Sequence, residues 1–573
     1  MNKYYQTELE KLREQAVEFS QAYPTIAPQL AQASTDPDVE RILEGVAFLS
    51  AQIRQKIDDD FPEFAQGLLK QIFPHYLRPF PAATIMQFSP KDILKTNVTV
   101  PKDTFVDSVE VDGVNCRFST AFDVEVMPMS VSNVRQTESS IGKKSIEIDF
   151  SSNGSILSNL PNDALRLYIG GDYVGAVELF YLLNNCVDSI EVSGSGISSN
   201  VSEQIKVEPV GFEKDQGLVD SPSNSFPAYR LIQEYFILKE KFLFIDLKNI
   251  SKYLGSSPGA FTIKFELKDD IQNIPRLSNN RFILYAVPAV NLFKRDAESM
   301  LNDHKRNEYR IRPLRDTANH FQIYSVTSVS GHNRRSGSQT SYKEIGLANP
   351  DLNAEPVFQL NHRKVENEGS HVFISFSYPK DHKLSNQETL AIDLICSNGD
   401  HPSKLKPGDI AKSTSSTSEL ITFKNLLQPS DHQNVPSGSS MLWRLLSHLS
   451  LNYLSLADKD NLKALLGLYI FTSNTGNTIE VANRRRIEGV SSVNVEACDR
   501  LVAGIPMRGQ SIKVKVNPAN YAGTGDMYLF GILLDRLFAS FASINCFTEF
   551  CLIDEASEET FTWPIRVGDR PLI

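Results

Sequence analysis

The feature that most constrains the fold of this 573-residue chain is a change of hydrophobic period after its first eighty residues. Before that point, apolar residues recur at alternating steps of three and four, the spacing of one face of a helix. These positions are Val39, Ile42, Val46, Leu49 and Ile53. Asp36 and Pro37 fit the cap and first turn of that helix. Pro74, Pro79 and Pro81 then end helical structure, because proline lacks a backbone donor and disfavours helix in the residue before it.

A further helix is predicted over residues 4–20, where Tyr5, Leu9 and Leu12 share one face. The chain therefore opens with about three helices, the last of them beginning near Asp60 and Pro62. A narrow apolar seam serves equally well to complete a core or to bind a partner, and the sequence leaves both readings open. The candidate interface residues are Tyr5, Leu9, Leu12, Val39, Ile42, Val46, Leu49 and Ile53.

After residue 82 the period changes to two, which is typical of half-buried strands. Segments 84–88 and 145–150 alternate in this way, and Asp112-Gly113 between valine-rich runs predicts a hairpin. A helix is predicted over residues 173–184. Residues 229–247 and 281–293 are predicted to be strands, and residues 330–342 an exposed loop.

The C-terminal region is predicted to contain a helix near residues 526–544 and a strand near residues 547–553. Apolar residues cover more than one face of that helix, so Leu534 is expected in a core or an obligate interface, and it joins the candidate interface residues. The predicted fold class is α+β multidomain: a helical bundle segment, β-rich middle domains and an α/β C-terminal domain. The expected segments are 1–82 for helical assembly, 83–300 and 301–428 for two β-rich domains, and 441–573 for the last domain.

Composition and charge argue against a nucleic-acid-binding protein and a membrane protein. A net charge of -11 argues against a generic nucleic-acid binder, and the basic run Arg484-Arg485-Arg486 is expected to be a solvated face or an interface rim. The N-terminus enters a polar helix directly, and apolar runs are too short to span a bilayer. We expect a soluble cytoplasmic protein with no direct membrane insertion. The six cysteines are widely spread, as in cytosolic chains.

The sequence predicts no catalytic, cofactor-binding or metal-binding residues. We therefore expect a protein that is not an enzyme and binds no cofactor. The His-Glu-x-x-His pattern is absent, and the glycines near 142, 194 and 523 do not complete a phosphate or nucleotide motif. Cys546 and Cys551 would point to opposite faces of a shared strand, which favours two packed thiols over a metal clip. Asp58-Asp59-Asp60 is better explained by helix capping, and His75 and His448 by packing.

Several stretches resemble the TssF family (also called VasA or ImpG), a baseplate component of bacterial type VI secretion systems. The likeness covers essentially the whole chain, and the order of the stretches is more specific than any one of them. In chain order they are Tyr4-Tyr5-x-x-Glu8-Leu9, Asp36-Pro37-x-Val39-Glu40-Arg41, Glu44-Gly45-x-Ala47-Phe48-Leu49, Asp59-Asp60-Phe61-Pro62-Glu63, Pro74-His75-Tyr76-Leu77-Arg78-Pro79, Tyr229-Arg230-Leu231, Glu234-Tyr235-Phe236, Glu240-Lys241-Phe242-Leu243-Phe244, Pro288-Ala289-Val290-Asn291-Leu292-Phe293, Leu442-Trp443-Arg444-Leu445, Ser447-His448-Leu449-Ser450, Tyr528-Leu529-Phe530-Gly531, Leu534-Asp535-Arg536, Ala542-Ser543-Ile544-Asn545 and Trp563-Pro564-x-Arg566. The chain departs from the family pattern at Ser397 and Gly399, where threonine and arginine are expected.

The resemblance implies a structural subunit of the baseplate wedge. It implies direct binding to TssG, usually two copies of this protein to one TssG, self-association, and wider baseplate partners in TssK, TssE, the spike protein and the sheath. The assembled location would be the inner face of the cytoplasmic membrane. The alternatives are a wedge protein of a related phage-tail-like contractile injection particle, or an enzyme or carbohydrate-binding protein whose site is built from scattered residues.

Overall fold

A computed structural model of the chain divides into two compact units, Met1–Ile72 with Pro436–Leu446, and Phe73–Val435 with Ser447–Ile573. The structure describes residues 2–23, 41–54, 78–138, 142–152, 163–194, 197–202, 205–220, 226–254, 259–268, 271, 273–316, 320–333, 337–345, 356–365, 369–379, 387–434, 458–470, 478–502 and 504–568. The expectations for Val39, Asp58-Asp59-Asp60, His75 and His448 fall outside these residues.

The described elements mix helices with several sheets, so the predicted α+β class is confirmed in its coarse form. The helices are α1 (Asn2–Ala22), α2 (41–54), α3 (Tyr173–Asn185), α4 (Pro227–Ile237), α5 (Ser251–Leu254), α6 (Lys459–Leu468), α7 (Thr478–Glu488) and α8 (Thr524–Ser540). The first strands are β1 (Ala83–Pro90), β2 (Val98–Val100), β3 (Phe105–Val111), β4 (Val114–Thr120), β5 (Val124–Val126), β6 (Met129–Glu138), β7 (Lys144–Ser152), β8 (Ala164–Ile169), β9 (Val187–Gly194), β10 (Ile197–Ser202), β11 (Lys206–Val210), β12 (Phe244–Lys248), β13 (Phe261–Leu267), β14 (Phe282–Ile283) and β15 (Ala286–Val290). The remaining strands are β16 (Phe293–Asp296), β17 (Met300–Asn302), β18 (Tyr309–Arg310), β19 (Gln322–His332), β20 (Gln339–Glu344), β21 (Val357–Val365), β22 (Gly369–Ser377), β23 (Glu388–Ser397), β24 (Ile421–Asn425), β25 (Val490–Val502), β26 (Ile505–Val516), β27 (Cys546–Asp554), β28 (Thr560–Thr562) and β29 (Arg566–Val567).

Local signals set several of these boundaries. Helix α3 begins after Asp172, whose carboxylate accepts a hydrogen bond from the Gly175 backbone N–H at 2.8 Å and caps the helix. The predicted hairpin joins β3 to β4, with Asp112 and Gly113 at φ values of 50° and 83°. Both central residues of a tight hairpin turn need positive φ, which aspartate and glycine tolerate best. The predicted helix over residues 173–184 and the predicted hairpin are therefore confirmed.

Among the described residues, most strand pairs are antiparallel, and the strands form one two-stranded ribbon, β2-β5, and five larger sheets. The sheet orders are β24-β1-β15-β4-β3, β10-β9-β13-β7-β6, β11-β12-β8-β14, β16-β23-β19-β20-β21-β22-β18 with β17 beside β23, and β25-β26-β27-β28 with β29 beside β27. Parallel pairing joins β20 to β21 and β26 to β27. A core of buried apolar side chains fills the largest of these sheets, with Val329, Ile374 and Leu390 among its most buried members.

One sheet crosses the expected boundary between residues 300 and 301. Strand β1 pairs with β15 on one side, at Ala83 and Val290, and with β24 on the other, at Met86 and Asn425. The two β-rich segments therefore share a sheet. Sequence periodicity does not show this, because it records which face of a strand is buried and not which strand lies beside it.

Two local predictions were wrong. Residues 229–237 lie in helix α4, not in a strand, with Pro227 in its first turn, and β12 begins only at Phe244. Dense aromatic residues fit a buried helix as well as a strand, so composition could not separate the two. The expected loop at 330–342 contains the end of β19 and the start of β20, which pair from Val329↔Tyr342 to His332↔Gln339.

Candidate interaction surface

Helices α1 and α2 are tied together by an ion pair. The guanidinium of Arg54 donates to Glu8 Oε1 at 2.7 Å, and the Lys11 ammonium lies 3.8 Å from the same oxygen. Residues 8 and 54 are separated by 46 positions, so this contact fixes one helix beside the other. Such an exposed pair adds about 0–1 kcal/mol and serves mainly to set orientation.

The inward face of α2 is made of small residues. Ala47 and Ala51 have no exposed area, whereas Ser20 is the buried residue on α1. On α1 the predicted residues Tyr5, Leu9 and Leu12 are half-buried. They lie on the partly covered side of the helix, and their assignment to an interface stays a prediction.

The predicted residues of α2 face outward. Exposed fractions are 66% for Ile42, 44% for Val46, 59% for Leu49 and 63% for Ile53. We call these four residues the outer stripe. At about 100° per residue, Ala47 and Ala51 point about 150° away from the mean direction of the outer stripe, so the buried face lies nearly opposite to it. The helix therefore packs through its small alanine side chains, and its large aliphatic side chains are exposed to solvent.

Aromatic residues extend the exposed apolar surface on α1. Phe19 is 47% exposed and Tyr23 51% exposed, and their ring centroids lie 5.1 Å apart. Phe48 of α2 is also 45% exposed. Large apolar side chains grouped on a surface are typical of protein–protein contact sites, whereas single ones carry no such meaning.

Leu534 does not lie on this or any other surface. It has no exposed area and sits in α8, whose contacts include α3, α4 and β27. Tyr528 of the same helix stacks on Trp563 with ring centroids 5.5 Å apart. The interface assignment of Leu534 is thus replaced by a role in the core of its own chain, which was the other reading of its helix.

Sequence reasoning missed a buried polar cluster around the start of α8. Asp526, with no exposed area, accepts hydrogen bonds from Arg486 Nε at 2.8 Å and from the Tyr173 hydroxyl at 2.5 Å. Burial raises the pKa of Tyr173, so its hydroxyl stays protonated and donates. Asn483 donates to the Phe236 carbonyl at 2.9 Å. The cluster therefore joins α3, α4, α7 and α8, and Arg486 is a core residue and not part of a solvated basic face.

A second buried pair stabilises the turn after α4. Glu234 and Lys241 both have no exposed area and are in contact through their charged groups. The other carboxylate oxygen of Glu234 accepts from the Leu218 backbone N–H at 2.7 Å. Burial lowers the pKa of Lys241 to about 8, although the Glu234 charge acts in the opposite direction. These residues fall within the family-like stretches, and their role here is structural.

Several of the polar side chains that line a surface cavity of about 670 Å³ have partners in the fold. Arg310 lies 2.8 Å from His371 Nδ1, while His401 Nδ1 and Lys404 Nζ lie 3.1 Å and 2.6 Å from Asp112 Oδ2. The Asp112 contacts join the β3–β4 turn to the short 3-10 helix at 401–404. These side chains thus hold segments of the fold together.

The departure from the family pattern forms a tight turn. Ser397 is fully buried, and its hydroxyl oxygen accepts from the Gly399 N–H at 3.4 Å. Gly399 has φ of 55°, in the left-handed region that glycine enters most easily. An arginine at this position would be strained in the backbone conformation observed here.

The described part of the chain also bears on metal binding and membrane insertion. Within these residues, groups of three or more His, Cys, Asp or Glu side chains arranged to hold a metal ion are not found. Among the helices that the structure describes, each is too short or too polar to cross a membrane. Cys546 and Cys551 both lie in β27 and are half-buried free thiols.

Comparison with known proteins identifies the family. The family model described as type VI secretion system, TssF, matches residues 1–570. The type VI secretion system component TssF1 of Pseudomonas aeruginosa is 28% identical over 631 residues, which cover 99% of this chain and 98% of that protein. One chain in a cryo-electron microscopy structure of the type VI TssK-TssF-TssG baseplate subcomplex superposes with a TM-score of 0.80 at 25% identity, covering 93% of this chain and 99% of that chain.

A chain of a second solved structure, the baseplate complex from the type VI secretion system, shares the fold. Its TM-score is 0.62 at 20% identity, with both chains covered in full. The similarity thus extends from the helical start through the sheets to α8 and β29. Together with the family match over nearly every residue, this similarity establishes that the chain belongs to the TssF family of the type VI secretion system.

Proposed function

We propose that this protein is a structural subunit of the type VI baseplate wedge and binds TssG directly. The observation that carries the proposal is the outer stripe of α2, four large aliphatic side chains that the chain itself leaves 44% to 66% exposed. The solved relative is a component of a TssK-TssF-TssG subcomplex, which supports TssG and TssK as partners. A wedge subunit would also meet TssE, the spike protein and the sheath in the assembled baseplate. The same role would place it at the inner face of the cytoplasmic membrane.

The spacing of the outer stripe matches a helical partner. Ile42, Val46, Leu49 and Ile53 follow steps of four, three and four, the a/d pattern with which one helix packs against another. Burying such side chains stabilises the complex by a free energy of roughly 25 cal/mol for each Å² of apolar surface removed from water. We therefore place residues 1–82 as the assembly segment, with TssG and a second copy of this protein as its helical partners.

The role is architectural and not catalytic. The buried charged residues described above, Asp526 with Arg486 and Glu234 with Lys241, are paired inside the core and have little or no contact with solvent. Perturbed ionisable groups occur both in active sites and in structural networks, so pairing and burial decide between the two. Both pairs connect secondary-structure elements, which favours the structural role.

The test is co-purification of the full chain with TssG. The double variant Val46→Asp with Leu49→Asp charges the outer stripe, and recovery of TssG is expected to fall at least tenfold because unpaired charges oppose burial. Circular dichroism and thermal unfolding of the variant should match the parent, since both side chains are solvent-exposed.

Gln52→Asp is the matched control. This residue is exposed and lies about a quarter-turn from the outer stripe, so it adds negative charge without entering the proposed contact. Recovery of TssG should remain at the parent level. Full recovery with the folded double variant, or equal loss with the Gln52 control, would contradict the assignment of this surface.

A further inference from the structure

Strand β25 forms a long, open sheet edge at the C-terminal sheet. It pairs with β26 from Val490↔Val516 to Val502↔Ile505, and among the described strands it has no neighbour on its other side. Strand β27 joins β26 only from Arg508 onward. The tip of the hairpin, beyond the Asp499↔Arg508 pair, therefore projects past the third strand and carries Leu501 and Ile505 at 75% and 63% exposure.

This edge has only part of the usual protection against strand pairing. Proteins protect open edges with charged side chains, above all lysine, with proline or with a bulge. Strand β25 contains neither lysine nor proline, and its charged residues, Glu496, Asp499 and Arg500, carry both signs and can pair with each other. Its one irregularity falls at the base, between Val490 and Ser492. From Ser492 to Val502 the edge is regular. Between Asn494 and Leu501 each side chain is exposed except those of Val495 and Cys498, which are half-buried. Such an edge is a template for an added strand.

The hairpin geometry determines which backbone groups face outward. Two residues separate Val502 from Ile505, and the pair beside such a turn is hydrogen-bonded across the hairpin. Hydrogen-bonded and non-hydrogen-bonded pairs alternate along antiparallel strands. The even-numbered residues of β25 therefore bond to β26, whereas Val495, Ala497, Asp499 and Leu501 direct their N–H and C=O groups to the open edge.

We propose that this edge binds the same edge of a second copy of the chain, antiparallel and centred on Cys498. In this register Glu496 of each copy lies opposite Arg500 of the other, and Val495 lies opposite Leu501. Opposite charges and apolar residues facing each other across strands are each stabilising. Cys498 then faces its own counterpart as a non-hydrogen-bonded pair, with Cα atoms about 4.5 Å apart.

Neighbouring registers are less favourable. Centring the pair on Ala497 leaves Glu496 opposite Cys498 and Arg500 opposite Asn494, so both opposite-charge pairs are lost. Three further registers bring like charges together. Centring the pair on Glu496, Asp499 or Arg500 places that residue opposite itself, and like charges directly opposite are destabilising. Glu496 and Arg500 are more than half exposed in the single chain, with 58% and 54% of their side chains accessible. Their present ion pairs, with Lys513 at 3.8 Å and Glu549 at 3.2 Å, are of the weak surface kind.

This inference goes beyond the proposed function, since it concerns the C-terminal sheet and does not require TssG. The first test uses the native cysteine as a probe in the full chain. Copper–phenanthroline with dissolved oxygen removes two electrons and two protons from two Cys498 thiols and leaves one disulfide between copies. We expect a covalent dimer on non-reducing gels, retained in Cys546→Ser and Cys551→Ser and lost in Cys498→Ser.

Exchanging the charges of Glu496 and Arg500 tests the proposed strand register. Glu496→Arg or Arg500→Glu alone should weaken dimerisation at least tenfold in sedimentation experiments, because each places two like-charge pairs at the contact. The double variant Glu496→Arg with Arg500→Glu should restore dimerisation to near the parent value. Equal dimerisation by all four proteins, a double variant as weak as the singles, or a parent that stays monomeric and does not cross-link would overturn the proposal. Each result is separate from TssG recovery, so failure here leaves the wedge assignment standing.

Discussion

Arg486 of α7 and Asp526 of α8 form an ion pair inside the C-terminal region, with Nε 2.8 Å from Oδ2 and at most 5% of either side chain exposed. Two residues away in the same basic run, Arg484 pairs with Glu480 at 2.8 Å but remains 57% exposed. One run of arginines thus contains both a core residue and a surface residue. Their different burial predicts different consequences of substitution.

Arg486→Ala should lower the free energy of unfolding by about 3–5 kcal/mol, because it leaves the Asp526 carboxylate buried with its main cationic partner removed. Arg484→Ala is the matched control and should change stability by about 0–1 kcal/mol. Urea unfolding of the two variants beside the parent measures both values. Similar small losses from both substitutions would show that the buried pair does not support the junction of α7 and α8.

Leu534→Asp should prevent accumulation of soluble protein, because this side chain has no exposed area and an unpaired carboxylate would enter the core. Ile544→Asp, at a position that is 49% exposed shortly after α8, is the control and should express normally. Soluble yield and thermal unfolding are the measurements. Normal yield and unfolding of the Leu534 variant would contradict the core placement of α8.

The sequence allowed prediction of features that depend on neighbouring residues. Asp172 and the apolar run after it define the start of α3, and the Asp112-Gly113 pair defines a hairpin, because caps and turns use side chains a few positions apart. The periodicity also located an apolar face on α2. It could not show that Ala47 and Ala51 pack inside while Ile42 and Leu49 remain exposed, since both faces satisfy helical spacing.

Long-range pairing accounts for most of what could not be predicted. The Met86↔Asn425 pair joins residues more than three hundred positions apart, and the Tyr173–Asp526 hydrogen bond does the same. Neither leaves a local pattern in the sequence. The free edge of β25 is likewise a property of the sheet order and not of the strand, because a central strand could have the same alternation.

Stability should fall as the pH drops from about 6.5 to about 4, with a contribution from His432. Burial lowers the pKa of His432 to about 4, with Asp400 acting in the opposite direction, and among the described residues neither ring nitrogen has a hydrogen-bond partner. Between these pH values the unfolded chain binds a proton that the folded chain does not, so protonation favours unfolding. The contribution is about 3 kcal/mol across the whole window.

His432→Leu should remove that contribution, so the variant should lose less stability than the parent when urea unfolding at pH 7.5 is compared with pH 4.5. Other carboxylates titrate in both proteins, and the difference between the two isolates the histidine. Identical pH dependence in parent and variant would mean that His432 titrates alike in the folded and unfolded states.

Gly525 permits the close crossing of α8 and α3. A methyl group at this position would meet the Val177 carbonyl, which is backbone and cannot move aside alone, and the Gly525 N–H donates to Glu178 Oε2 at 2.9 Å. Gly525→Ala should therefore lower the free energy of unfolding by about 1–3 kcal/mol, as expected when a packed contact is overfilled.

Gly467 is the matched control, because it lies in α6 with no atom within 4 Å of an added methyl group. Gly467→Ala should raise stability by about 0.4–1 kcal/mol, since alanine restricts the unfolded chain more than glycine does. The two glycine-to-alanine changes are chemically identical and should have opposite signs in urea unfolding. Stabilisation by both would show that α3 and α8 are not in close contact at Gly525, and destabilisation by both would show that helix packing alone does not explain the effect.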